Sequence, residues 1–88
     1  MSTIEMVKAR VEEIVGSSAA RSAINAVDVQ AGEDHDGDPY LRISLHLMGT
    51  EKHLDEMTPK LAKLTSEVRL AVSEIDERYS VVRFPVID

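Results

Sequence analysis

The chain has no cysteine and no tryptophan. Without a thiol there is neither a disulfide framework nor a thiolate metal site, and nothing points to an oxidising compartment, so a cytoplasmic address is expected. Only Tyr40, Tyr79 and Phe84 are aromatic, which leaves few rings for stacking bases or caging a cation and demands a core of aliphatic side chains. Glycine and proline are scarce, at four and three residues, which excludes collagen-like and low-complexity architectures. No run approaches the roughly 18 apolar residues of a membrane span. The start, MSTIEMVKARVEEIVG, lacks the basic segment leading into an apolar one that an export signal requires, so neither export nor membrane insertion is expected. Basic residues are a minority: ten Lys and Arg against sixteen Asp and Glu leave a net charge of −6, which repels phosphate backbones and anionic lipid.

What is present suits one small folded unit. At 88 residues the chain lies near the lower limit for folding without cross-links, and residues 1–88 are expected to form a single α+β domain. Ser2 and Glu5 have the spacing of a capping box, and Ile4, Val7, Val11, Ile14 and Val15 recur on one face, which predicts a helix over Thr3–Val15. Gly16-Ser17-Ser18 supplies its stop, with a further turn available in Ala19–Ala23. Val27, Val29 and Ala31 alternate with Asp28 and Gln30, and Leu41, Ile43, Leu45 and Leu47 alternate with Arg42, Ser44 and His46, which predicts two half-buried strands. The Gly- and Asp-rich stretch from Gly32 to Pro39 should join them as an antiparallel hairpin with an acidic tip.

Thr58-Pro59 offers a hydroxyl cap followed by proline at a first helical position, predicting that the second helix starts there and runs to about Arg78. Its stripe comprises Leu61, Leu64, Val68, Ala71, Val72 and Ile75. Extended back to Leu54 and Met57, the stripe has the spacing of a short heptad seam, too brief for a coiled coil and better suited to packing on a sheet. Val82, Phe84 and Val86 alternate with Val81, Arg83 and Pro85 as a third strand. The expected fold is therefore α-β-β-α-β, a three-stranded sheet with two helices packed on one face and a polar, open opposite face. Strands two and three should be parallel if they are neighbours.

That open face is the expected partner-binding surface, carrying Tyr40, Arg42, Ser44, His46 and Arg83, with Asp28 and Gln30 beside them; an Asp28–Arg42 cross-strand ion pair is its bland alternative. The acidic tip is the second candidate. Asp34, Asp36 and Asp38 alternate in D-x-D-G-D, an oxygen-rich arrangement that suits a divalent cation, and the segment Asp34–Asp38 resembles the opening of an EF-hand-type calcium loop. Pro39 then stands where that loop has Gly, and Leu45 where it has its bidentate Glu. His35 is expected on the tip, His46 on the outer sheet face and His53 after the strand, outside any regular element, and the three have no zinc-site spacing. No Gly-x-Ser-x-Gly, Gly-rich phosphate loop or thiol nucleophile occurs, so no enzymatic activity is expected.

The hairpin Leu41–His46, the long helix after it and the tail Val82–Val86 together resemble the cytosolic tail domain of cation-efflux transporters, which would imply divalent-metal-linked dimerisation. Phe84 stands where that family's strand carries a metal-binding histidine. The same order, especially over Val68–Asp88, is similar to the KH-like ribosome-binding factor family and would imply RNA binding, here through Lys60, Lys63 and Arg69; a Gly-x-x-Gly loop is absent. The leading expectation is a non-enzymatic interaction or regulatory module. Its partner would be another protein, a basic one steered by the acidic charge, or a second copy of itself. No cofactor is expected apart from a divalent cation at Asp34, Asp36 and Asp38.

Overall fold

A computed structural model of the protein describes residues 2–86. Helix α1 spans Thr3–Gly16 and begins as the capping box predicts: Ser2 is the N-cap, and its Oγ accepts a hydrogen bond from the Glu5 N–H at 3.2 Å. Val7, Val11 and Val15 form its buried stripe. A 3₁₀ turn at Arg21–Ala23, in the stretch where a further helical turn was expected, leads into strand β1 (Ile24–Glu33), which pairs with β2 (Pro39–Leu47). The third strand, β3, covers Tyr79–Arg83.

The sheet order is β1-β2-β3, antiparallel between β1 and β2 and parallel between β2 and β3, with both helices on one side. The expected α+β architecture is the observed one. Period-two alternation sends Leu41, Ile43, Leu45 and Leu47 of β2 inward, where they are buried against Val7, Val11, Leu61, Leu64, Val68 and Val72 of the helices. Every second residue of all three strands therefore lies on a face that no helix covers.

Helix α2 departs from expectation at both ends. It spans Glu51–Ser73, with Thr50 as N-cap accepting from the His53 N–H at 3.2 Å, and Pro59 lies inside it. The proline should break the ladder at the Asp55 carbonyl, at a cost of about 3 kcal/mol. Against this, starting eight residues earlier buries Met57 and half-buries Leu54, worth about 3 kcal/mol together, and gains the Thr50 cap, worth about 1 kcal/mol. Pro59 and Asp55 are both exposed, which puts the freed carbonyl on the solvent side of the helix. The apolar stripe, continuous from Leu54 to Ile75, decides the helix, and the Thr58-Pro59 start signal is overridden.

The far end stops short of Arg78 because Asp76 captures the chain. Its carboxylate accepts from the Arg78 N–H at 2.9 Å and from the guanidinium at 3.0 and 2.6 Å, turning the backbone out of the helix toward β3. The third strand accordingly begins at Tyr79, before the alternation seen in sequence, and ends at Arg83. Pro85 lies beyond it, and its carbonyl accepts from the Leu47 N–H at 2.7 Å.

Replacing Pro59 by alanine supplies the missing donor at an exposed site. The substitution is expected to stabilise the fold by about 2 kcal/mol and to raise Tm by about 10 °C, net of the unfolded-state entropy that proline removes. Thermal denaturation followed by circular dichroism checks this; an unchanged Tm would mean that the helix has already relaxed around the proline.

Candidate functional site on the open sheet face

The register fixes which side chains meet on the uncovered face. Gly32, Tyr40 and Tyr79 form one row across the sheet; Gln30, Arg42 and Val81 the next; Asp28, Ser44 and Arg83 the third; and Ala26 and His46 a fourth. The five residues expected there, Tyr40, Arg42, Ser44, His46 and Arg83, do share this face. Tyr79 and Val81 join them: Tyr79 precedes the alternation that begins at Val81, and Val81, although that alternation sets it on the same side as Arg83, carries no polar group that would mark it as a candidate. The signal was available: Tyr79 has the same parity as Val81 and Arg83, two residues along.

The aromatic row is the most structured part. The Tyr40 and Tyr79 rings stack with centroids 5.6 Å apart and planes 18° from parallel. Tyr40 also lies over Gly32, where an added Cβ would come within 3.1 Å of the ring, so glycine on β1 provides the floor for tyrosine on β2. Tyr79 then reaches the hairpin tip, its hydroxyl donating to Asp34 Oδ2 at 2.8 Å across 45 residues of sequence.

The tip itself is an organised turn. Asp34 Oδ1 accepts from the backbone N–H groups of Asp36 and Asp38, both at 2.9 Å, and Gly37 takes a positive φ of 82°. Carboxylate oxygens of Asp34, Asp36 and Asp38 all lie within 4.8 Å of one another. Both Asp34 oxygens are nevertheless engaged in holding the turn and the tyrosine. The hydrogen bond from Tyr79, followed by those from the turn backbone, lowers the Asp34 pKa below 3.8; the same carboxylate pushes the Tyr79 phenol up from 10.0 to about 12.

Beside the tyrosines lies a depression of about 600 Å³, with Tyr40, Arg42, Tyr79, Val81 and Arg83 among its walls and Glu33, Asp34 and His35 at the tip end. The expected ion pair between Asp28 and Arg42 is absent: the register sets Gln30 opposite Arg42 and Asp28 opposite Ser44, and the three ion pairs among the described residues involve neither. Arg42 Nε is buried without a hydrogen-bond partner among the described residues. A buried donor left in that state costs about 1–3 kcal/mol, more for a charged group. Arg83, on the neighbouring strand and diagonal to Arg42, is exposed and makes no ion pair among the described residues.

The other candidates are dispersed. His35 is on the tip, His46 half-buried on the open face, and His53 in the first turn of α2, contrary to its expected place outside a regular element. Lys60, Lys63 and Arg69 are exposed on α2, in the layer behind the sheet, with Lys63 4.0 Å from Glu67. Of the stretch likened to KH domains, Ile87 and Asp88 lie outside the described residues.

The Tyr79–Asp34 bond predicts two titrations of opposite sign. The folded-state phenol value exceeds the unfolded one, so its contribution to stability is complete below pH 10.0 and lost as pH rises through about 12; the Asp34 contribution is present above 3.8 and lost as pH falls through the lower folded value. Spectrophotometric titration should show one of the two tyrosines ionising near 12, and Asp34→Asn should return it toward 10.0. Two ordinary tyrosine titrations in the native protein would contradict the bond.

No protein-family model matches the chain, and comparison with curated proteins and with solved structures returns no match. Among the described residues no helix is long and apolar enough to cross a membrane. The residues of the face are therefore the basis for any functional reading.

Proposed function

We propose that this chain is a non-catalytic protein-interaction module, and that its open sheet face, with β3 as the adjoining edge, receives a carboxylate-bearing segment of a partner protein. The observation that carries the reading is the buried Arg42 Nε, which has no hydrogen-bond partner among the described residues, with the exposed Arg83 diagonal to it and the stacked Tyr40 and Tyr79 alongside. Planar guanidiniums select carboxylates by paired hydrogen bonds, and a carboxylate arriving over Arg42 offsets a desolvation cost already incurred in the free protein. The tyrosines and Val81 provide apolar area at low entropic cost. Asp34 and Tyr79 hold each other in a structural bond, which favours recognition over acid–base chemistry.

The reading predicts a companion protein that co-purifies in near-stoichiometric amount at low salt from the native host. Arg83→Glu, an exposed change, should abolish that association while leaving thermal stability within about 0.5 kcal/mol. A companion retained by Arg83→Glu, or none recovered with the wild type, would sink the proposal.

A second reading, a divalent-cation site at Asp34, Asp36 and Asp38, draws on the proximity of their oxygens. An ion there would have to share Asp34 with the turn backbone and Tyr79, which predicts millimolar affinity. Saturable movement of the amide resonances of residues 34–38 in millimolar calcium would support it, and unmoved resonances would dispose of it.

A further inference from the structure

The sheet has a second unpaired boundary, the outer edge of β1. At ten residues it is the longest strand, and it contains neither Lys nor Pro, two devices with which edge strands avoid pairing; its single irregularity is a bulge between Ile24 and Ala26. The phase of its hydrogen bonds follows from the hairpin. The Asp34 N–H donates to the Asp38 carbonyl at 3.0 Å, and Pro39, opposite Glu33, has no N–H to give. In an antiparallel ladder bonded and unbonded pairs alternate, so Gly32, Gln30 and Asp28 direct their backbone groups at β2, while Ala31, Val29 and Val27 direct theirs outward.

We infer that β1 pairs antiparallel with β1 of a second copy of this chain, about a two-fold axis at Val29, giving a continuous six-stranded sheet. The side chains select that register. With Val29 opposite Val29, the helix side sets Val27 against Ala31 of the second copy, extending the apolar layer, and the open side sets Asp28 against Gln30, a carboxylate facing an amide donor. Centring on Asp28 would oppose two carboxylates, and centring on Gln30 would place Val27 against Glu33 of the second copy. The Val29 register also brings Arg21, the first residue of the 3₁₀ turn that leads into β1, to the end of the second copy that carries its acidic tip, Glu33 to Asp38. Within its own chain Arg21 makes no ion pair among the described residues; its guanidinium donates only to the Gly16 carbonyl, at 3.5 Å. The charge complementarity thus repeats at both ends of the strand pair. The pairing uses β1 and leaves the rows around Arg42 and Arg83 open, so it does not depend on the function proposed above.

Sedimentation equilibrium of the full chain tests it. The wild type is expected to be a dimer at high-micromolar concentration. Gln30→Glu, an exposed change that sets Glu against Asp28 twice, should raise the dimer Kd by about tenfold. The double variant Asp28→Lys with Gln30→Glu should return the Kd toward the wild-type value. Ala31→Pro removes an outward N–H that β2 does not use, and should leave a folded monomer by circular dichroism. A wild-type monomer at high-micromolar concentration overturns the inference, as does a dimer whose Kd is unmoved by Gln30→Glu and Ala31→Pro. Arg83→Glu should leave the dimer intact, which separates failure here from failure of the partner-binding reading.

Discussion

The one-sided burial of β2 is the constraint on which the rest of the structure depends. Among the described residues it is the only strand hydrogen-bonded on both flanks, and Leu41, Ile43 and Leu45 are wholly inaccessible to solvent beneath the helices. Four inward aliphatic residues on one strand require a cover, and two amphipathic helices provide it. Because a strand alternates strictly, the same residues dictate that Tyr40, Arg42, Ser44 and His46 point the opposite way. The described residues form no third layer that would cover them. The open face is thus a consequence of how the core is built, and its polarity follows from having to face water.

The elements set by periodicity were legible in the sequence: Thr3–Gly16 and the β1–β2 hairpin fall where the 3.6- and 2-residue patterns put them. The errors arose where a local signal competed with a tertiary one. Thr58-Pro59 is a sound start signal in isolation, yet Leu54 and Met57 extend the stripe past it, and burial outweighed the cap. Asp76, which ends α2 through its own side chain, belongs to no periodic pattern, so the end of the helix and the start of β3 were misplaced together. The candidate face inherited this error, losing Tyr79.

The tip shows a different limit. Three alternating aspartates look alike in sequence, but their environments diverge once the chain folds. Asp34 turns its two oxygens to the turn backbone and to Tyr79, whereas Asp36 and Asp38 contribute backbone N–H donors to that arrangement and stand exposed. The bond to Tyr79 spans 45 residues and no local pattern announces it. It fastens the far end of the hairpin to the last strand and holds the Tyr40–Tyr79 stack in place, so an apparent ligand residue is also the anchor of the aromatic row.

The distribution of charge reconciles an acidic chain with a face built to receive carboxylates. Glu5, Glu12 and Glu13 lie on α1, Glu51, Asp55, Glu56 and Glu67 on α2, and Glu74, Asp76 and Glu77 in the turn after it, while Glu33, Asp34, Asp36 and Asp38 gather at the hairpin end. The rows of the open face hold two guanidiniums, Arg42 and Arg83, against one carboxylate, Asp28, and Glu33 and Asp34 stand at the tip end of the depression beside them. At physiological ionic strength potentials decay over about 8 Å, while the molecule is 20 Å across at its thinnest. Charges on the outside of the helix layer are therefore heavily screened at the sheet surface. A net charge of −6 governs solubility and the early approach of a partner, and the two arginines with their tyrosine neighbours govern what is held on contact.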